Sequence, residues 1–136
     1  MTTQKVVLAG ILATGALFWG GGKIVAVPMP QVVINELMWM GSSLSSTDEW
    51  IELMNTTDQT IDLTGWRLTK LTSGTETTML TIPAGIIPPN GYFVVANDPA
   101  AVSRLALEPN IVDPSVSLVN SKLQIALYDA NGALVD

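Results

Sequence analysis

Glu36, Asp48, Glu49 and Glu52, with the amides of Asn35 and Asn55, form the densest polar grouping in this 136-residue chain. Oxygen donors of this kind suit calcium, which takes about six to eight of them from carboxylates, amides and carbonyls. The loop from Gly41 to Thr47 lies alongside and offers further backbone carbonyls. Against a metal site, the spacing matches no calcium loop, and strand parity sends Glu49 and Glu52 to opposite faces. The competing assignment makes all four carboxylates turn caps and partners of exposed backbone. Calcium at Glu36, Asp48, Glu49 or Glu52 is the one ligand that this chemistry leaves open, and no other cofactor is expected.

Other chemistry is thin. The chain has no Cys and no His, which excludes disulfides, Cys/His zinc sites, thiol nucleophiles and imidazole bases. Glu49 and Glu52 as a glycosidase pair would need a substrate cleft that no segment announces. Gly20-Gly21-Gly22-Lys23 lacks the glycine spacing and the Ser/Thr of a phosphate loop. Asp129-Ala130-Asn131-Gly132 opens like a calcium loop but lacks the later ligands, so it reads as a turn. Asn55-Thr56-Thr57 is a formal glycosylation triplet. Trp39, Trp50 and Trp66 would serve an aromatic groove or packing, and packing is the expectation for all three. No catalytic residues are assigned, and the chain is not expected to be an enzyme.

Acidic residues outnumber basic ones by 12 to 6. Every Asp and Glu lies beyond Lys23, and the cations there are Arg67, Lys70, Arg104 and Lys122. Scattered cations in an acidic domain make a poor footprint for phosphates, which argues against direct nucleic-acid binding.

Residues 6–19, VVLAGILATGALFW, follow a leader whose single charge is Lys5. The run has the length of a signal-peptide core, about 7 to 15 residues, and the triglycine interrupts it before the ~20 of a spanning helix. Export by a cleaved signal is expected; an uncleaved anchor, with Ile24 to Val27 extending the run past Lys23, is the alternative. Residues 1–27 are therefore signal or anchor, 28–30 a proline linker, and 31–136 one domain.

In that domain, short apolar segments alternate with turn chemistry, the mark of an all-β sandwich or barrel. Strands are expected at 31–40, 49–55, 60–71, 77–83, 92–97, 116–119, 122–128 and 133–136. Residues 99–107 suit one or two helical turns capped by Asp98, crossing between two sheets. Period-two spacing assigns Ile51/Leu53, Ile61/Leu63, Trp66/Leu68, Leu80/Ile82, Phe93/Val95 and Leu123/Ile125/Leu127 to the core. In the first strand, Ile34/Glu36/Met38 and Val33/Asn35/Leu37/Trp39 are both partly apolar, so its inward face stays open.

Ile34-Asn35-Glu36-Leu37, the segment from Asp48 to Asn55 and Asp62-Leu63-Thr64-Gly65-Trp66-Arg67-Leu68 together resemble the lamin tail domain. Ile82-Pro83-Ala84-Gly85 and the run from Pro89 to Val95 extend the likeness to nearly all of 32–136. The signature residues are Asn35, Glu36, Glu49, Trp50, Glu52, Asn55, Gly65 and Trp66. The resemblance implies an immunoglobulin-like β-sandwich of the bacterial secreted type, serving as a non-catalytic interaction module of an exported or cell-surface protein. Its partner would be a protein or a cell-envelope component, with a membrane touched only through an uncleaved N-terminal segment. The family's motif has no catalytic residues to carry over, and the basic surface linked with chromatin contact in lamins has no counterpart here. Such domains generally continue beyond the equivalent of Asp136, which suggests a truncated fragment. The alternative is an N-terminal accessory domain of a longer secreted enzyme, such as a nuclease or other hydrolase.

Overall fold

A computed structural model describes residues 29–120 and 122–136. Residues 1–27, expected to be a signal or anchor, lie outside them, and Met29 and Pro30 carry no regular structure. Among the described residues no helix is long and apolar enough to cross a membrane.

The described chain is all-β. Its strands are β1 (Val32–Met38), β2 (Trp50–Asn55), β3 (Ile61–Asp62), β4 (Arg67–Thr72), β5 (Thr75–Thr81), β6 (Ile86–Ile87), β7 (Tyr92–Ala96), β8 (Ile111–Val112) and β9 (Gln124–Tyr128). They form a four-stranded sheet ordered β1-β2-β7-β8, a three-stranded sheet ordered β5-β4-β9, and the pair β3-β6. One apolar core collects the inward faces: Val32, Ile51, Leu53, Phe93 and Val95 from the first sheet, and Leu68, Leu80 and Leu127 from the second. The connections add Leu63, Trp66, Ile82, Val116 and Leu118. This architecture is consistent with an immunoglobulin-like sandwich. The core expected from alternation is observed, with Ile61, Leu123 and Ile125 only partly buried against it.

The open question in β1 is settled by a bulge. Ile34 pairs with Leu53 and Glu36 with Glu52, so Asn35 has no partner on β2. The extra residue reverses the parity, and Ile34 and Leu37 both pack on the core. Neither simple alternation describes the strand.

Four expectations need correction. The strand placed at 60–71 is interrupted, because Gly65 adopts φ +80° and Trp66 N–H donates to Leu63 O at 3.0 Å. This turn carries the chain from β3 to β4, in a different sheet. Residues 116–119 form no strand; Val116 and Leu118 are buried from an irregular segment, while the unforeseen β8 pairs parallel to β7. Residues 97–110 contain only a 3-10 turn, Ala100–Val102, and return the chain to the same sheet, as a parallel pair requires. Asp98 does not cap that turn, since its carboxylate accepts the Thr47 hydroxyl at 3.0 Å. Residues 133–136 contribute a single bridge, Leu134 to Tyr128.

Local chemistry explains the tight connections. Ser73 and Gly74 have φ of +53° and +84°, the left-handed pair that a two-residue hairpin needs to match strand twist. Asp129 Oδ1 accepts the N–H groups of Asn131 and Ala133, which makes that segment the turn expected of it.

Trp66 is 9% exposed and belongs to the core, whereas Trp39 is 38% exposed. Truncating a core aromatic costs about 3 to 5 kcal/mol, and a surface change usually stays within about 0.5 kcal/mol. Denaturant titration should therefore show Trp66→Ala strongly destabilised and Trp39→Ala, which removes a ring only partly covered, clearly less so. Equal stability of the two variants would contradict the packing described.

Candidate functional site

Strand β2 is the interior strand on which the polar grouping is built. Its core-facing row continues past the strand's start and reads Glu49, Ile51, Leu53, Asn55, all buried, while Trp50, Glu52 and Met54 face outward. Two apolar residues are thus bracketed by two polar ones. Burying polar groups is costly without partners, and here every one has them.

Asn55 is fully buried. Its Nδ2 donates to the carbonyls of Gln59 (2.6 Å), Pro88 (3.0 Å) and Ile87 (3.2 Å). Its Oδ1 accepts Thr57 N–H at 2.9 Å and the Thr57 hydroxyl at 2.7 Å. One amide joins β2, the 56–60 turn and the end of β6. The same burial puts the glycosylation triplet out of reach in the folded domain, because the nitrogen to be modified is engaged.

At the other end, Glu49 Oε2 accepts Leu118 N–H at 2.9 Å and so fastens the irregular segment after β8. Asp48, 1% exposed, receives the Ser103 hydroxyl on Oδ1 and the Arg104 N–H on Oδ2 at 2.9 Å. Burial alone would raise the pKa of Asp48. Hydrogen bonds from Ser103, Ser42 and the Arg104 backbone, with the Arg104 charge, more than offset it and hold the carboxyl below its ordinary value.

Glu36 and Glu52 are elsewhere. They face each other across β1 and β2 on the outer surface, where Asn35 Nδ2 donates to Glu52 Oε1 at 2.7 Å. The four carboxylates considered for calcium are therefore divided between two buried anchors and two outward residues. Among the described residues, no three acidic side chains are gathered as a metal-holding group. Trp50 and Trp39, expected to pack with part of each ring exposed, both lie outside the core cluster. Trp50 stands on the outer face beside Glu52.

The sequence reading missed the partners. Ser103 and Arg104 complete the Asp48 anchor, and Asn97 Nδ2 donates to Pro114 O and Val116 O. Their only signal was polar residues in a proline-rich stretch. It also missed the outer face of the three-stranded sheet. There Thr69 donates to Glu76 at 2.6 Å, and Arg67 lies 5.5 Å from the centroid of the Tyr128 ring. Hydrogen bonds from Thr69, then Tyr128, keep Glu76 below the usual carboxylate range.

Strand order, the buried Glu49, Asn55 and Trp66 and the turn at Gly65 define a β-sandwich module. A family model described as Lamin Tail Domain matches residues 27–136, and the chain belongs to the lamin tail domain family. A search of the curated proteins found no match.

Because the Asp48 pKa is lowered in the folded state, its stabilisation is complete above the unfolded value, about 4. It is lost as pH falls through the lower folded value. Thermal melts from pH 7 to pH 2 should show a steeper acid loss for the native chain than for Asp48→Asn, which should be less stable at pH 7. Parallel profiles would contradict an ionised Asp48 anchor.

Proposed function

We propose that this chain is a non-catalytic interaction module of an exported or cell-surface protein. The observation that carries the reading is the commitment of Asp48, Glu49 and Asn55 to backbone partners. Asp48, Glu49 and Asn55 are thus accounted for by the fold, which leaves the outward residues for recognition. What the domain offers a partner is then its surface. Membership of an immunoglobulin-like module family supports the same reading, though fold alone is a weak warrant for function. Export is supported by the apolar run behind Lys5.

The test is fractionation of cells producing the tagged chain, followed by binding of the labelled purified chain to their envelope material. The expected result is chain in the envelope or medium, with saturable binding. Chain retained in the cytosol with an intact N-terminus would overturn export, and absence of saturable binding would overturn the module reading.

A further inference from the structure

A solvated sheet face is ordinarily polar. The outer face of the three-stranded sheet is mixed, with Arg67, Glu76, Thr78 and Gln124 beside Leu71, Ala126 and Tyr128, whereas that of the four-stranded sheet is mostly apolar. Its outward register sets Val33, Met54 and Tyr92 in one row and Met38 beside Trp50 in another. Tyr92 is 51% exposed, and the remaining members are partly exposed. Methionine and aromatic side chains concentrated on one surface mark interfaces.

Between those rows stands a third, Glu36, Glu52 and Val94. The β1 bulge at Asn35 puts Glu36 on this face, and the Asn35 amide holds the Glu52 carboxylate beside it. Directly opposed like charges on a sheet repel, and β1, β2, β7 and β8 contain no Lys or Arg. A partner bearing a cation would complement the pair. A second copy applied through the same face would set glutamates against glutamates, and an anionic lipid surface would be repelled.

We propose that the outer face of the four-stranded sheet docks a protein segment that places an arginine or lysine between Glu36 and Glu52, with apolar side chains on Met38, Trp50, Met54 and Tyr92. The proposal rests on the interaction-module reading and gives its partner a chemistry. A guanidinium suits the site best, since it pairs with carboxylates through a planar fork and lies flat on aromatic rings.

The test uses the full, isotope-labelled chain and three synthetic peptides: one alternating Leu and Arg, one with Glu for Arg, and one with Ser for Leu. The Leu/Arg peptide should shift amides of β1, β2 and β7 and the indole N–H resonance of Trp50, with the other two peptides at least about tenfold weaker. A Glu36→Lys, Glu52→Lys chain should reverse the charge preference, and Tyr92→Ser should weaken binding, with both melting like the native chain because these side chains face outward. Shifts mapped to the other sheet, absence of binding, or an affinity untouched by charge reversal would overturn the proposal. Saturable envelope binding that survives the charge reversal would remove this surface while sparing the module reading, whereas no envelope binding by the native chain removes the module reading itself.

Discussion

A carboxylate or amide buried at the edge of an apolar core must find partners there, because leaving one unpaired costs about 1 to 3 kcal/mol, and more for a charge. Asp48, Glu49 and Asn55 meet this constraint with backbone groups from segments that have no ladder of their own. The turn after β2, the approach to β7, the 3-10 segment and the stretch before β9 are all tied to one strand. Small sandwiches whose strands are as short as β3, β6 and β8 depend on such ties, since two-residue pairings contribute little by themselves.

The same constraint sorts the acidic residues by role. Those on the inward side of β2 are committed to the fold, and Asp48 remains ionised because its hydrogen bonds outweigh the cost of burial. Those on the outward side, Glu36 and Glu52, are displayed by a bulge and an amide contact among apolar neighbours. Glu49 and Glu52, three residues apart, thus stand on opposite faces of the β2 row, one bonded into the fold and the other displayed beside Glu36 of β1. Strand parity in the sequence already separated Glu49 from Glu52, but nothing local placed Asp48 or Glu36.

The inward rows of β2, β7 and β9 were legible because period-two alternation there is undisturbed. The Gly65-Trp66 turn was legible as a family motif but was placed inside a strand, since Ile61, Leu63, Trp66 and Leu68 are all apolar and nothing local announces that they serve different sheets. In β1 the Asn35 bulge defeated any parity argument. Residues 97–123 were read poorly because their order comes from distant side chains: Asp48 acts across more than fifty positions and Glu49 across sixty-nine. Val116 and Leu118 have strand spacing without strand pairing, so a strand was expected where the chain is irregular, and their burial was not foreseen.

Native-state hydrogen exchange tests the central claim most directly. The amides of Thr57, Arg104 and Leu118 lie outside every strand, and each donates to a side chain buried at an end of β2. They should exchange slowly, on the scale of the β2 ladder amides, while neighbouring loop amides such as that of Ala106 exchange fast. Rates for Thr57, Arg104 and Leu118 matching those of ordinary loop amides would contradict the account.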